Sequence, residues 1–317
     1  MPQALHAARD RQSPGSTKSA RMALFPADPP DDVSTPGTRG IERVSALLRV
    51  LATRTQYGWA LTQLAEEAGL KKTTAHRMLG KLEAEGLVSR RSSDSRYFLG
   101  AAIAEMSLGL PGFHGFMEAS AKALEALATA TGAAAMLALR SGTCSVVAAR
   151  AGASERRGMM TEVGGRRPLL ASSAGTAIFL GLSCVDRAHV VRANMEALKP
   201  RSRGDLEALA RMWYRSHELG YGCSRGEVIP GVTSVAVAMR SPDGIPFASI
   251  ALVDEAETFS EVRAQKAVAA IRHEIEVVMS RNYPDTWFDL FGTDTPVTAK
   301  CADSNRSTCR NKPGASG

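Results

Sequence analysis

One stretch of the chain, residues 61–90, limits the fold more than any other. It reads LTQLAEEAGLKKTTAHRMLGKLEAEGLVSR and holds two runs in which apolar residues recur at helical spacing, joined by a Gly-Leu step. In the second run Ala75, Met78 and Leu79 fall on one face, as expected for an amphipathic helix packed on a core. Gly69 stands where a tight turn between two helices requires a left-handed residue. The stretch therefore predicts two short helices joined by a tight turn.

The flanking sequence completes a small domain. Before the helix pair, Ile41, Val44, Leu48 and Leu51 recur at helical spacing and predict a further helix. After it, GLVSRRSSDSRYFLG predicts two short β runs around a Ser-Ser-Asp-Ser turn, and Gly86 is placed to close the preceding helix. Three helices followed by a β-hairpin predict a winged helix-turn-helix domain.

Polar and basic side chains crowd the start of the third predicted helix. Because the apolar residues occupy one face, these side chains point away from the core, as the base-contacting residues of a recognition helix do in a DNA major groove. Thr and Arg contact bases or phosphates, and Lys is a point-charge partner for phosphate. Three arginines also flank the hairpin tip, where they are placed to follow a DNA backbone or minor groove. The predicted DNA contacts are Lys71, Lys72, Thr73, Thr74, His76, Arg77, Lys81, Arg90, Arg91 and Arg96.

The charge balance agrees with a polyanionic partner. The chain carries a formal net charge of +7, and between Lys71 and Arg96 seven Lys and Arg residues stand against three Asp and Glu residues. The competing interpretation is an ordinary amphipathic helix pair with a solvated basic face, since a basic surface can also serve solubility. That interpretation gives no reason for the spacing from Ala65 to Gly69, or for a basic hairpin directly after the helices.

Other classes of protein find less support. No apolar run approaches the roughly 18 residues that a membrane span needs, and the N-terminal segment has no apolar region followed by a cleavage site, so we expect a cytoplasmic protein without a membrane partner. The five cysteines form no CxxC pair and no zinc-ligand spacing. We therefore expect no metal and no cofactor, and the absence of hydrolase, nucleotide-binding and metalloprotease motifs argues against an enzyme.

Selectivity for DNA requires more than one winged domain, because one domain contacts too few base pairs. The helix predicted after Pro111-Gly112 has Phe113, Phe116, Leu124 and Leu127 to bury. We expect this helix to form dimer contacts between the two domains, so that two copies bind a roughly palindromic site.

On these motifs the chain resembles the IclR-type transcriptional regulators. GLKKTTAHRMLGKLEAEGLVSR is similar to the recognition-helix motif of that family, and YFLG to the end of its wing. GGRRPLLASSAGTAIFLGL and ELGYGCSRGEVIPGVTSVAVAMRSPDGIPFASIALV are similar to two segments of its second domain. The resemblance covers residues 39–285 and both domains in order. Thr176 stands where the family usually has Lys, and VDEAETF departs from the family's Ser-x-x-Gly-Pro ending.

The resemblance implies an α+β protein in which a winged helix-turn-helix domain is joined by a helical linker to a GAF-like α/β effector-binding domain. It implies a ligand-responsive regulator that binds double-stranded DNA at a promoter as a homodimer or homotetramer. The expected parts are a disordered lead at 1–38, the DNA-binding domain at 39–100, the linker with dimer contacts at 101–131, the effector-binding domain at 132–285 and a disordered tail at 286–317. The positions similar to the effector pocket of the family are Ser173, Ala174, Ser224, Ser234, Ala251 and Val253.

These pocket positions also indicate a class of ligand. Backbone amides at the helix start around Ser173 suit a carboxylate, and Ala251 and Val253 are aliphatic, so we expect a small organic acid with an aromatic or aliphatic body. Arg166 and Arg167 are placed to neutralise such a carboxylate, with a solvated loop as the other interpretation. An enzyme and a ligand-independent architectural DNA-binding protein are the alternative functions.

Overall fold

The computed structural model describes residues 38–152, 162–198, 202–257, 259–284 and 287–288. The lead before residue 38 and the tail beyond residue 288 lie outside the described residues. No helix in the described ranges has the length and apolar character needed to cross a membrane.

The N-terminal domain is the predicted winged helix-turn-helix. Its elements are α1 (Arg39–Leu51), α2 (Leu61–Glu67), α3 (Lys72–Ala84), β1 (Val88–Arg90) and β2 (Tyr97–Leu99). The two strands pair antiparallel, and Trp59 forms an isolated bridge to Tyr97, which ties the segment after α1 to the wing. Leu47 of α1, Leu64 of α2 and Leu79 of α3 are fully buried in one cluster, so the predicted amphipathic faces meet in a single core.

Two glycines have the backbone conformation that their positions require. Gly69, in the turn between α2 and α3, has φ +64°, and Gly86, just past the end of α3, has φ +69°. Residues with a Cβ adopt these angles at a cost. The turn and the helix end are therefore as predicted.

Two helices follow the wing, and the second belongs to the next domain. They are α4 (Ala101–Ser107) and α5 (Phe113–Thr131), on either side of the predicted Pro111-Gly112 break. Phe116, Leu124 and Leu127 of α5 are at most 2% exposed and pack in the core of the second domain. These three side chains are therefore buried where α5 covers one face of the sheet in its own chain, and the dimer contacts expected of this helix stay a prediction.

The second domain is built on one antiparallel sheet with the strand order β5-β4-β3-β8-β7-β6. The strands are β3 (Ala134–Ser141), β4 (Cys144–Ala151), β5 (Arg166–Pro168), β6 (Gly222–Arg225), β7 (Val232–Arg240) and β8 (Pro246–Glu255). The helices are α6 (Ser173–Leu180), α7 (Cys184–Leu198), α8 (Arg203–Leu219) and α9 (Glu261–Met279), with a 3-10 helix at Leu169–Ala171.

Strand alternation sends side chains to two different cores. Leu137, Val235 and Leu252 lie on the face covered by α5 and α9. Met136 and Ala236, their sequence neighbours, lie on the other face with Ala174 and Ala177 of α6. The sheet therefore has a fully packed apolar face and a second face that it shares with α6.

Some parts of this domain differ from the sequence prediction. α6 begins at Ser173, where a helix start is expected from the sequence, but the 3-10 helix before it, α7 and β6 were not predicted. Trp287 is fully buried beside Phe113 and Phe116. The second domain therefore extends past the expected start of the tail at residue 286.

Candidate functional site

The first candidate site is the outer face of α3. Ala75, Leu79 and Leu82 are buried, and this turns the opposite side of the helix to solvent. Of the predicted DNA contacts on and before the helix, Thr74 is half-buried and the others are exposed, namely Lys71, Lys72, Thr73, His76, Arg77 and Lys81. The helix thus presents one contiguous polar and basic face.

The start of α3 has the form of an anion-binding helix end. Lys71 occupies the N-cap position with extended backbone, and no side chain caps the helix there. The first amides of a helix have no partner within the helix, and they attract phosphate oxygens. The turn that presents them is closed by hydrogen bonds from the Leu70 amide to the Ala65 carbonyl (2.8 Å) and from the Gly69 amide to the Glu66 carbonyl (3.1 Å).

The three wing arginines have different surroundings. Arg91 donates to Asp94 through Nε (2.9 Å) and Nη2 (2.6 Å), and Arg96 pairs with the same carboxylate at 3.3 Å. Arg96 also donates to the Gly58 carbonyl. Hydrogen bonding from Arg91 lowers the pKa of Asp94 to about 2. Arg91 and Arg96 therefore fix the shape of the wing, whereas Arg90 is exposed over the ring of Tyr97.

The second candidate site is a cavity between the start of α6 and the shared face of the sheet. It encloses about 590 Å³ of space free of protein atoms, part of it open to solvent. The lining combines serine hydroxyls with aliphatic side chains. It consists of Met136, Ala138, Ser145, Val147, Gly165, Arg167, Ser172, Ser173, Ala174, Ser224, Val228, Ile229, Val232, Ser234 and Val253.

The structure brings five of the six predicted pocket positions together at this cavity. Ser173, Ala174, Ser224, Ser234 and Val253 line it. The sixth, Ala251, is 1% exposed and lies in the apolar cluster behind the wall, paired with Met136 of β3. Sequence reasoning missed the contributions of β3, β4 and the segment 228–229.

The hydroxyls of two predicted residues satisfy each other. Ser173 Oγ lies 2.7 Å from Ser234 Oγ, and both side chains are buried. β6 passes so close to the same helix start that a Cβ on Gly222 would lie 2.0 Å from the carbonyl oxygen of Ser173. Contacts from two strands thus fix the position of the α6 N-terminus.

The N-terminus of α6 opens on the cavity. Ser172 is the N-cap, and its hydroxyl accepts from the Gly175 amide at 3.1 Å. Within the described part of the chain, no hydrogen bond is formed by the amides of Ser173 and Ala174. These amides carry the partial positive charge of the helix end, so the cavity wall is suited to an anionic group.

Arg166 and Arg167 lie on β5 and point to different places. Arg166 donates to the hydroxyl (2.7 Å) and the carbonyl (3.0 Å) of Ser141. Its guanidinium is therefore bonded to β3. Arg167, paired with Ser145 in the strand register, lines the cavity. The solvated-loop interpretation is therefore wrong for both residues, and Arg167 places a cation in the wall.

Two side chains that the sequence did not single out hold the 3-10 helix that leads into α6. The buried Asn194 of α7 accepts from the Leu170 amide (2.9 Å) and donates to the Thr143 carbonyl (2.9 Å). Trp213 of α8 donates to the Leu170 carbonyl at 2.8 Å. Both polar groups of Leu170 are thus fixed from outside the cavity.

Glu227 holds the segment that supplies Ser224, Val228 and Ile229 to the cavity lining. Its carboxylate pairs with Arg215 of α8 at 2.7 Å and accepts from Ser224 Oγ at 3.3 Å. Burial raises the pKa of the Glu227 carboxyl, but hydrogen bonds from the Arg225 amide and the Arg215 side chain outweigh this effect and leave the pKa below its ordinary value. The carboxylate is therefore a structural anion next to the lining residues.

Two models of known protein families match this chain, one in each domain. Residues 40–92 match the IclR helix-turn-helix domain, and residues 114–278 match the model described as bacterial transcriptional regulator IclR C-terminal. The glycerol operon regulatory protein of Streptomyces coelicolor is 24% identical over 74% of this chain and 92% of its own length.

Solved structures show the same fold. An IclR transcriptional regulator from Alicyclobacillus acidocaldarius is 23% identical and superposes with a TM-score of 0.61 over 76% of this chain and 98% of its own. An IclR homologue from Microbacterium hydrocarbonoxydans, solved as a complex with 4-hydroxybenzoate, is 22% identical, with a TM-score of 0.58 over 76% of this chain and 100% of its own.

The C-terminal match alone spans more than half of the 317 residues, and the N-terminal match covers the winged helix-turn-helix. The two domains stand in the order that joins a DNA-reading module to a ligand-binding module. The chain therefore belongs to the IclR family, and it is a ligand-responsive, DNA-binding transcriptional regulator.

Proposed function

We propose that α3 and the wing bind a roughly palindromic promoter site, and that a small organic acid with an aromatic or aliphatic body binds in the α6 cavity and changes the affinity for that site. The observation that carries the proposal is that the cavity lining combines groups that attract an anion with aliphatic side chains. The α6 amides and Arg167 lie on it together with the aliphatic side chains Met136, Val147 and Val253.

The DNA contacts divide by chemistry. Arg77 and Thr73 lie on the exposed face of α3, where a recognition helix meets base edges. Lys71, Lys72 and Lys81 are suited to phosphates. Of the wing arginines, Arg90 is the proposed backbone contact, since Arg91 and Arg96 share Asp94.

The ligand class follows from the charge and polarity of the cavity lining. Ser173 and Ser234 bond each other, so they present little unmet polarity to a ligand. A carboxylate at the α6 amides or Arg167 is favoured by charge, while the body of the ligand meets aliphatic walls. The 4-hydroxybenzoate bound to the Microbacterium homologue has this division and supports an aromatic acid as the first candidate.

An enzyme is the less supported alternative. Among the lining residues in the described ranges, Arg167 is the only one with an ionisable side chain. The lining residue Ser224 contacts a carboxylate, that of Glu227, but this carboxylate is paired with Arg215 and its pKa is lowered, which makes it a weak base for activating a nucleophile. The described residues also contain no group of His, Cys, Asp and Glu side chains that could hold a metal ion.

We propose that the chain acts in the cytoplasm as a homodimer or homotetramer. Large apolar side chains are exposed on and near α4: Met106 is 64% exposed, Leu108 71% and, on α1, Ile41 68%. We propose that these exposed residues, rather than the buried side chains of α5, form the contacts between the DNA-binding domains of two copies. Leu108→Glu should shift the mass measured by light scattering toward the monomer, whereas Val185→Glu, at an equally exposed site on α7, should not.

The ligand proposal is tested by measuring melting temperature and DNA binding together. Benzoate, 4-hydroxybenzoate and a small keto acid are added to the full chain and to Arg167→Gln. An aromatic acid should raise the melting temperature of the wild type and shift its operator affinity, and Arg167→Gln should weaken both effects. Arg150→Gln, an exposed arginine on neighbouring β4, is the matched control. The proposal fails if no acid changes either quantity.

A further inference from the structure

The turn over residues 162–165 lies between the cavity and the DNA-binding domain. Gly165 is part of the cavity lining. Its neighbour Gly164 lies against the end of α1: a Cβ built on Gly164 would lie 1.8 Å from the carbonyl oxygen of Ala52 and 2.9 Å from its carbonyl carbon. One peptide unit therefore separates the wall of the cavity from the other domain.

The turn is fastened to the wall on its inner side. The Gly164 amide donates to the Val147 carbonyl (2.8 Å), and the Val147 amide donates to the Gly165 carbonyl (3.0 Å). Val147 itself lines the cavity. A hydrogen bond from the Gly165 amide to the Glu162 carbonyl (2.8 Å) closes the turn. A displacement of the wall at Val147 is therefore carried to Gly164 through two backbone hydrogen bonds.

On its outer side the turn meets a junction of the DNA-binding domain. Ala52 is the C-cap residue of α1. Val50 and Leu51, at the end of this helix, are buried in the same cluster as Leu79 of α3, the proposed recognition helix. The chain after Ala52 runs to Trp59, which exchanges two backbone hydrogen bonds with Tyr97 of the wing (2.9 and 3.0 Å). A shift at Ala52 thus reaches both α3 and the wing.

Gly164 is suited to this contact in two ways. Its φ of +85° is rarely adopted by residues with a side chain, and the close approach to Ala52 leaves no room for a Cβ. Gly244, in the hairpin turn between β7 and β8, has a similar φ of +80° but no atom within 4 Å of a built Cβ. The same substitution at the two glycines therefore separates the effect of backbone strain from the effect of the interdomain contact.

We propose that the 162–165 turn transmits occupancy of the cavity to the DNA-binding domain of the same chain through the Gly164–Ala52 contact. The inference rests on the proposed ligand site. A ligand against Val147 and Gly165 favours one position of the turn, and the end of α1 follows. Packed elements convert such small shifts into a change between discrete arrangements, and both sites bias the position of the same element.

The test compares the full chain with Gly164→Ala and Gly244→Ala. Affinity for an operator duplex, obtained by selection from random duplexes, is measured by fluorescence anisotropy with and without saturating 4-hydroxybenzoate. Affinity for 4-hydroxybenzoate is measured separately by calorimetry. Melting curves check that each variant is folded. Gly164→Asn, with Gly244→Asn as its control, is the second pair, since Asn tolerates the left-handed region better than Ala.

We expect Gly164→Ala to change operator affinity without ligand by about 5-fold or more, within the usual range of coupling between sites. It should keep its calorimetric affinity for 4-hydroxybenzoate and lose most of the change in DNA affinity that the ligand causes. Gly244→Ala should match the wild type in all three measurements.

The proposal is overturned if Gly164→Ala binds operator like Gly244→Ala without ligand, or if it still responds to bound ligand like the wild type. If 4-hydroxybenzoate fails to bind even the wild type, the proposed ligand class is wrong for this probe. The ligand-free comparison of Gly164→Ala with Gly244→Ala still decides the role of the turn in that case. The two failures are therefore distinguishable.

Discussion

Asp94 holds Arg91 in the wing by two hydrogen bonds, at 2.6 and 2.9 Å. The guanidinium of Arg91 also lies 4.8 Å from the ring centroid of Phe98. The arginine is therefore placed by a carboxylate on one side and an aromatic ring on another. Its charge stays on the wing surface, but its geometry is set before DNA arrives.

Asp94→Asn should loosen the wing and raise its positive charge. We expect tighter binding to random duplexes, with a salt dependence steeper by about one unit, because Arg91 becomes available to one more phosphate. The ratio of operator to random affinity should fall, since the wing is less fixed. Anisotropy titrations at two salt concentrations measure both quantities. Asp243→Asn, in the exposed turn after β7, is the charge-matched control, and an unchanged ratio in Asp94→Asn would contradict the assignment.

The low pKa of Asp94 sets the pH range of this contact. Its value of about 2 lies below the roughly 3.9 of an unfolded chain, so the carboxylate contributes stability above about pH 4 and loses it as the pH falls toward 2. Between pH 5 and 8 the difference in DNA affinity between wild type and Asp94→Asn should therefore be constant. A difference that varies with pH in this range would show that another group titrates in the wing.

Arg77→Ala and Lys72→Ala should separate base reading from phosphate binding. Loss of one good base contact costs about 1–3 kcal/mol and relaxes specificity at that base pair. Loss of a phosphate contact weakens binding to all sequences and lowers the salt slope by about one unit. Titrations of each variant against operator and scrambled duplexes test this, with Arg192→Ala on α7 as a control. If both variants bind DNA with wild-type affinity, α3 does not form the DNA interface.

Local periodicity explains why part of each site was predictable. The 3.6-residue repeat of α3 fixes its apolar face, so the exposure of Arg77 follows from the burial of Leu79. The two-residue repeat of a strand puts Ser234 on the same sheet face as Ala236 in β7, and Val253 on the same face as Ala251 in β8. These relationships act within one element and require no knowledge of how elements pair.

The remaining parts depend on contacts between distant segments. Val147 and Arg167 reach the cavity because β4 pairs with β3 and β5 pairs with β4 in the sheet, an order that no local repeat encodes. α7 was missed because its apolar residues show no clear helical face, with Val185 and Val191 exposed. The wing contacts of Arg91 depend on how Asp94 folds back in the turn.

Asn194 should be required for stability although it does not line the cavity. Asn194→Ala would leave the buried Leu170 amide without its partner, and an unsatisfied buried group costs about 1–3 kcal/mol. The Thr143 carbonyl would lose one of two donors, since it also accepts from the Leu169 amide at 3.1 Å. We expect a lower midpoint in urea and weaker binding of 4-hydroxybenzoate, since the 3-10 helix leads directly into α6. Asn194→Asp keeps the acceptor for the Leu170 amide but sets a buried carboxylate oxygen against the Thr143 carbonyl, so it should also lower the midpoint. His189→Ala, exposed on the same helix, is the control, and equal stability of all three variants would exclude this role.

Val253 tests whether the cavity selects the apolar body of its ligand. Val253→Thr keeps the shape of the side chain and puts a hydroxyl on the wall, where an aromatic ring cannot satisfy it. Burying an unpaired hydroxyl costs roughly 1–3 kcal/mol in proteins, so affinity for 4-hydroxybenzoate should fall by about 5-fold or more, while affinity for a small hydroxy acid should not fall. The same change at Val237, which packs on the opposite face of the sheet, controls for the general cost of threonine in a strand. Calorimetric titration of both variants with both acids tests whether the body of the ligand contacts Val253. If Val253→Thr and Val237→Thr bind 4-hydroxybenzoate equally, the ligand does not rest on the β8 wall.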